Sequence, residues 1–109
     1  MPFLNSLQLN DSDISPAIAR MLAASPELET LFAKRSDITD DELETIAQSE
    51  TIKLLSLAGN PITDNAVDSL VKMNSLESVF VRWTKMTQNG VDELQNRMPE
   101  CEVFFVPRN

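Results

Sequence analysis

Apolar residues recur every 24 positions along this chain, and the interval is kept through residue 86 without an insertion. Residues at the same position of successive repeats form a column. The first column contains Leu4, Leu28, Ile52 and Leu76, and the second contains Leu7, Leu31, Leu55 and Val79. The next three contain Leu9, Ala33, Leu57 and Val81, then Ser12, Ser36, Asn60 and Thr84, and then Ile14, Ile38, Ile62 and Met86. Because self-similarity at a short fixed period is typical of repeat architectures, the sequence predicts four stacked copies of one structural unit.

Each unit is predicted to be a strand followed by a helix, because its apolar spacing changes from two residues to three or four. We expect the strands to cover residues 6–10, 30–34, 54–58 and 78–82. A hydroxyl residue then occupies the predicted N-cap column, which contains Ser15, Thr39, Thr63 and Thr87. Pro16 suits a first helical position, and Thr39 with Glu42 forms a capping box. The buried helix columns are predicted to contain Ala19, Leu43, Val67 and Val91, and then Leu22, Ile46, Leu70 and Leu94.

A fifth strand is expected near the C-terminus. Continuing the count places Val103 in the column of Leu7 and Phe105 in the column of Leu9, with Pro107 ending the strand. The alternative is to drop one residue so that Pro99 matches Pro26, which would move Cys101 into the column of Leu28. We favour the unbroken count.

The pattern L-x-x-L-x-L-x-x-(N/S/T)-x-I resembles the leucine-rich-repeat family over the segment from Leu4 to Val106. The segments Ile38-Thr39-Asp40 and Ile62-Thr63-Asp64 resemble the helix-containing repeats of ribonuclease-inhibitor-like and F-box-associated proteins, and Met98-Pro99-Glu100-Cys101 is similar to bacterial 24-residue repeats. The resemblance implies an α/β solenoid, a right-handed superhelix of four repeats plus a terminal strand, within a single domain spanning residues 1–109. It also implies a parallel concave sheet, convex helices, and recognition of proteins by outward-pointing strand residues.

The sequence departs from the family pattern at its N-terminus. Leu4 already belongs to a repeat, so three residues are left to shield the first unit, although terminal repeats ordinarily need a cap. The first strand would then present an open edge. We therefore keep an alternative function, a structural or assembly role through self-association at this end or through stacking on a preceding repeat of a longer array.

The central outward column of the predicted strands is rich in aromatic residues. This Phe column contains Gln8, Phe32, Ser56, Phe80 and Phe104. Three phenylalanines on one curved sheet would form an apolar stripe suited to a protein partner. Two other interpretations stay open: the rings shield one another, or a shifted register buries Phe104.

Four basic residues follow two of the strands. This basic rim consists of Lys34, Arg35, Arg82 and Lys85, and Trp83 lies between the last two. Together with Phe32, Phe80 and Phe104, these five residues are the candidate partner-binding residues, suited to an acidic or apolar protein surface. The alternatives are a solvated rim balanced by Asp11, Asp13 and Asp37, and a Trp83 that packs over its own turn.

Composition limits the other functions. The 109 residues carry 17 acids and 9 bases, a net charge of −8, which disfavours binding to nucleic acid or to an anionic membrane. The chain has one cysteine and no long apolar run, so we expect a cytoplasmic protein without disulfides. The acids at predicted helix starts, such as Asp40 and Asp64, are interpreted as structural rather than calcium-binding.

No catalytic constellation is recognisable in the sequence. The chain has no histidine and two glycines, so Cys101 and the serines have no histidine base and no phosphate-cradling loop is predicted. We expect a protein-protein interaction module that is not an enzyme and that uses neither a cofactor nor a metal.

Overall fold

The computed structural model describes residues 5–106, in which five β-strands alternate with four α-helices. The strands are β1 (Ser6–Gln8), β2 (Thr30–Phe32), β3 (Leu54–Ser56), β4 (Ser78–Phe80) and β5 (Glu102–Phe104). The helices are α1 (Pro16–Ala24), α2 (Asp40–Ile46), α3 (Ala66–Val71) and α4 (Gln88–Arg97). The predicted alternation of strand and helix is confirmed. Leu4 and Pro107, to which the sequence analysis gave roles, lie outside the described residues.

The strands form one parallel sheet in the order β1-β2-β3-β4-β5, and each pairs with the next at the 24-residue register. Val79 pairs with Val103, so the unbroken count is correct and the shifted register of the last strand is wrong. The physical reason is that the apolar alternation of β5 matches that of β4, and a slip of one residue would turn every side chain to the other face.

The core lies between the helices and one face of the sheet. The inward strand residues Leu31, Leu55 and Val79 are fully buried, as are the helix residues Leu43 and Leu70. Leu7 and Val103, by contrast, are half-buried, since β1 and β5 each pair with one strand within the described residues. The other face of the sheet carries no helix, and we call it the concave face.

The strands are shorter than the five residues predicted, because the chain turns soon after each strand. The same turn position has positive φ in all four repeats, at Asp11 (61°), Arg35 (49°), Gly59 (75°) and Trp83 (57°), and Asp37 (56°) also has positive φ in the second repeat. Backbone pairing nevertheless continues beyond the strand ends, as the Arg35 N–H donates to the Ala58 carbonyl at 2.9 Å. The 24-residue register between neighbouring repeats therefore continues beyond the strand ends.

Asn60 belongs to the buried polar column, and its side chain joins two neighbouring repeats by hydrogen bonds. Its Oδ1 accepts the Ser36 and Ile38 N–H groups at 2.8 and 3.1 Å, and its Nδ2 donates to the Ala33 carbonyl at 2.7 Å. A small hydroxyl in this column also bonds backbone, since Ser36 Oγ donates to the Leu9 carbonyl at 2.6 Å.

Three of the four predicted helix starts are confirmed, at Ser15, Thr39 and Thr87. Thr63 was wrongly expected to be an N-cap, since α3 begins at Ala66 after Asn65. The Ala66 N–H donates to the Thr63 carbonyl, three residues back, so the chain makes a tight turn before the helix. The Thr63 hydroxyl donates instead to Asp40 Oδ2 of the preceding repeat at 2.6 Å.

Candidate partner-binding site

The Phe column lies on the concave face in the predicted order. Phe32 pairs with Ser56, Ser56 with Phe80, and Phe80 with Phe104. The rings of Phe80 and Phe104 stack with centroids 4.5 Å apart and an interplanar angle of 12°. Phe32 is separated from this pair by the small side chain of Ser56, so the aromatic stripe is interrupted at the third strand.

The interruption at Ser56 is repeated one pleat further along the strands. Because alternate residues of an extended chain point to the same side, the residues two positions on form a second column on this face. That column places Ala58 between Lys34 and Arg82, one repeat away on either side. The third repeat thus contributes small residues where its two neighbours contribute an aromatic ring and a cation.

The result is a depression of 180 Å³ on the concave face, which we call the trench. Its lining consists of Phe32, Lys34, Ser56, Ala58, Phe80, Arg82 and Trp83. Ser56 and Ala58 form the floor and are 2% and 3% exposed, whereas the wall residues stand higher. The trench therefore exists because Ser56 and Ala58 are smaller than the residues on either side of them.

Arg82 lines the wall of the trench, where its guanidinium lies over an aromatic ring and one of its donors has no partner among the described residues. Its guanidinium carbon lies 5.7 Å from the centroid of the Phe80 ring, at cation–π distance. The Nε atom is buried and has no hydrogen-bond partner within residues 5–106. Buried polar atoms in proteins are ordinarily hydrogen-bonded, so an unpaired Nε–H is an exception at this position.

Arg35 is engaged differently, although it belongs to the same basic rim. Its Nε and Nη2 atoms donate to the two carboxylate oxygens of Asp11, at 2.7 and 3.2 Å. These hydrogen bonds from Arg35 hold the pKa of Asp11 below its ordinary value. The interpretation of a charge-balanced rim is thus correct for Arg35, whose charge is matched within the chain.

Lys34 and Arg82 have no such match. Among the described residues, no carboxylate oxygen lies within 4.0 Å of either side-chain cation. Three other acids, Glu77, Glu100 and Glu102, lie at the opposite edge of the sheet, where they border a separate depression together with Lys53. The charged residues that line the trench are therefore cations alone, whereas the edge at which the strands begin is mainly negative.

Trp83 stands at the end of the trench wall and is 49% exposed. Its φ of 57° lies in the left-handed region, which bulky residues rarely adopt and which costs about 1–2 kcal/mol. Half of the Trp83 side chain is buried, and the other half is left exposed for contact with a partner.

Five of the eight predicted site residues meet in the trench: Phe32, Lys34, Phe80, Arg82 and Trp83. Phe104 stacks on Phe80 beside it, which excludes the burial of Phe104 by a shifted register. Arg35 pairs with Asp11, and Lys85 is exposed outside the trench. The sequence analysis overlooked Ser56 and Ala58, although the gap they leave between large residues in both columns was a usable signal.

Three other features of the described residues concern a reactive thiol, a metal site and a membrane span. The Cys101 thiol is buried, and burial, followed by the nearby Glu102 charge, raises its pKa. A raised pKa lowers the fraction of reactive thiolate. The part of the chain that the structure describes contains no group of three or more Cys, Asp or Glu side chains placed to hold a metal ion. None of its helices has the length and apolarity needed to cross a bilayer.

Comparisons with known proteins identify the fold. No protein-family model matches the sequence, and no curated protein matches it. The solved structure of leiomodin-1 actin-binding site 2 (ABS2) is similar, with a TM-score of 0.73. The match covers 99% of this chain and 73% of that chain at 16% sequence identity. The predicted leucine-rich-repeat solenoid is thereby confirmed as the fold. At this identity, the likeness shows the fold alone.

Proposed function

We propose that this chain is a protein-binding module and not an enzyme, and that it holds its partner on the concave face. The observation that carries the proposal is the trench, in which aromatic and cationic side chains converge although the chain is acidic overall. Tryptophan and arginine are enriched among the residues that dominate binding energies at protein interfaces. The leiomodin-1 structure is of an actin-binding site, which supports a protein as the class of ligand.

The cost of exposing Trp83 supports the same function. The left-handed backbone of Trp83 carries a steric cost that glycine would not carry, and half of the indole is left exposed. Strained residues persist where the surrounding structure fixes them, and they cluster at binding sites. A partner that covers the indole would recover the apolar burial that the folded chain leaves unused.

The proposal is tested by selecting binders from a displayed library of random peptides with the intact chain. We expect the selected peptides to lose binding to Phe80→Ala by about tenfold or more, because Phe80 forms a wall of the trench. The matched control is Asp92→Ala, an exposed change on helix α4 that should leave binding unchanged. Peptides that bind both variants as tightly as the original chain would contradict the proposal.

Self-association is the second candidate function, and it is favoured by apolar side chains at the N-terminal end. Ile18 and Met21 on α1 are 36% and 72% exposed. Ala66 and Gly90, which are equivalent to Ile18 in the third and fourth repeats, are buried. Gly90 lies against Asp64 of the preceding repeat. The α1 surface is thus one that a further repeat-like unit, such as a second copy of this chain, would cover.

Sedimentation over about a hundredfold range of concentration distinguishes this candidate, since self-association makes the mass depend on concentration. A dimer that Met21→Glu abolishes would establish self-association through α1. Met21 is the suitable position because its exposure allows a charge without disturbing the core. A monomer at every concentration would reject the second candidate and leave the concave face unaffected.

A further inference from the structure

We infer that the trench recognises one acidic side chain of a protein partner, together with an apolar group next to it. The inference rests on the proposed function and specifies its chemistry. The apolar group lies between the rings of Phe32 and Phe80, and the carboxylate lies between Lys34 and Arg82. Each wall of the trench supplies one ring and one cation in the same order along its strand.

The equivalence of the two walls follows from the repeat. Phe32 and Phe80 occupy the same column, and Lys34 and Arg82 occupy the column two residues further along. Two strand spacings separate the walls, a distance of roughly 10 Å. Ser56 and Ala58 on the intervening strand leave that width open. A ligand group inserted there contacts a ring on each side and meets a cation on each side.

The size of the trench limits what enters it. Its 180 Å³ is smaller than the roughly 300–1,000 Å³ typical of sites for drug-sized ligands. The trench also opens along the concave face rather than forming an enclosed cavity. These dimensions suit a side chain or two presented by a peptide or a loop, and they disfavour a free cofactor or a whole nucleotide.

The charge pattern determines the sign of the inserted group. No acidic side chain lines the trench, while Lys34 and Arg82 line its opposite walls and neither has a carboxylate oxygen within 4.0 Å among residues 5–106. Arg35 competes less for the ligand, because two of its N–H groups already donate to Asp11. A carboxylate would accept hydrogen bonds from both cations and offset part of their charge.

Trp83 provides a direct signal for occupancy, because it lines the trench and is the one tryptophan of the chain. Its indole N–H and its fluorescence therefore report on this site alone. The probe is 3-phenylpropionate, which combines one ring with one carboxylate. The matched control ligand is 3-phenylpropanamide, which has nearly the same shape but carries no charge.

We expect 3-phenylpropionate to shift the indole signal saturably, with a dissociation constant on the order of millimolar, as is usual for a ligand of this size. The amide should bind about tenfold more weakly, because it cannot form charge-assisted hydrogen bonds. The changes Lys34→Gln and Arg82→Gln should each weaken the acid by about tenfold and leave the amide nearly unchanged.

Lys72→Gln is the control variant, since it removes the same charge from an exposed residue at the end of helix α3, outside the trench. Binding of the acid should change by less than about twofold, which is the effect of a distant screened charge. Ala58→Leu fills the floor and should weaken the acid and the amide equally. The melting temperature of each variant establishes that it is folded.

Equal affinity for acid and amide, or equal losses in Lys34→Gln and Lys72→Gln, would overturn the inference. So would the absence of a saturable indole shift with the acid. These results do not bear on the proposed function, which the library selection tests separately. Selected peptides that need Phe80 but contain no acidic residue would overturn the carboxylate site and leave the protein-binding module standing.

Discussion

Trp83 combines a half-exposed ring with a strained backbone. The left-handed backbone lowers stability. In the third repeat the same turn position is Gly59, which adopts the left-handed region without a steric penalty. The sequence therefore contains, one repeat away, the residue that the turn geometry prefers.

Replacing Trp83 should reverse the usual order of glycine and alanine. At most positions alanine is more stabilising, because glycine gains more freedom in the unfolded chain. At positive φ alanine keeps the strain, so we expect Trp83→Gly to be more stable than Trp83→Ala by about 1 kcal/mol. Urea unfolding followed by circular dichroism measures the difference. An alanine variant as stable as the glycine variant would show that the turn is relaxed.

Gly90 is the second glycine of the chain, and it is needed for space rather than for backbone freedom. A Cβ there would lie 2.0 Å from Asp64 Oδ1. That carboxylate accepts the Thr87 N–H and hydroxyl at 2.7 and 2.6 Å. Gly90→Ala improves helix propensity by about 1 kcal/mol, yet we expect a net loss of about 1–2 kcal/mol because Asp64 must move.

A double-mutant cycle with Asp64→Ala isolates this effect. Once the carboxylate is removed, Gly90→Ala meets no obstacle and should be neutral or stabilising. The coupling free energy between the two positions is then the quantity measured by urea unfolding. Additive effects of the two changes would refute the steric account of Gly90.

At the scale of the secondary-structure elements, helix α2 depends on its first turn. Glu42 Oε1 accepts the Thr39 hydroxyl at 2.6 Å and the Thr39 N–H at 3.0 Å. These hydrogen bonds, the hydroxyl first, hold the pKa of Glu42 below its ordinary value. A carboxyl whose pKa is lowered by folding adds stability above its unfolded pKa and loses it as the pH falls through the folded pKa.

We therefore expect the free energy of unfolding to fall as the pH is lowered from about 5 to about 3, and Glu42→Gln to weaken that dependence. Urea unfolding at a series of pH values measures both slopes. Glu44→Gln is the control, since Glu44 is an exposed residue of the same helix outside this contact. Identical slopes for the two variants would exclude the Glu42 contact as a source of the pH dependence.

The elements differ in how far the sequence predicts them. Strand order and register follow from the strict 24-residue interval, and the start of α1 follows from Ser15 and Pro16. The late start of α3 was missed because the chain first makes a tight turn, closed by the Ala66 N–H on the Thr63 carbonyl, which N-cap preference does not predict. The strand ends were placed too far along because Arg35 and Trp83 adopt a backbone region that their residue types disfavour.

The candidate site was predicted in part for a similar reason. Large outward residues such as Phe80 and Arg82 stand out in the sequence, and the parallel register brings them together as expected. The floor was missed because Ser56 and Ala58 matter through the volume they leave empty. The Arg35–Asp11 ion pair was not predicted because side-chain geometry decides which of several acids contacts each base.

At the scale of the whole molecule, the solenoid separates its charges. The chain has a net charge of −8, and many of its acids lie on helix starts and at the N-terminal ends of the strands, while Lys34 and Arg82 stay unmatched within the described part of the chain. Such a field orients an acidic partner toward the strand ends before contact. The distribution thus agrees with the trench as the place of contact.

The most direct test of the account is to map a library-selected peptide onto the intact chain by amide chemical shifts. We predict that the largest changes fall on the Trp83 indole and on the backbone of β2, β3 and β4 around Phe32, Ser56 and Phe80. Changes confined to helices α2 to α4, or to Ile18 and Met21 on α1, would contradict the concave face as the binding surface.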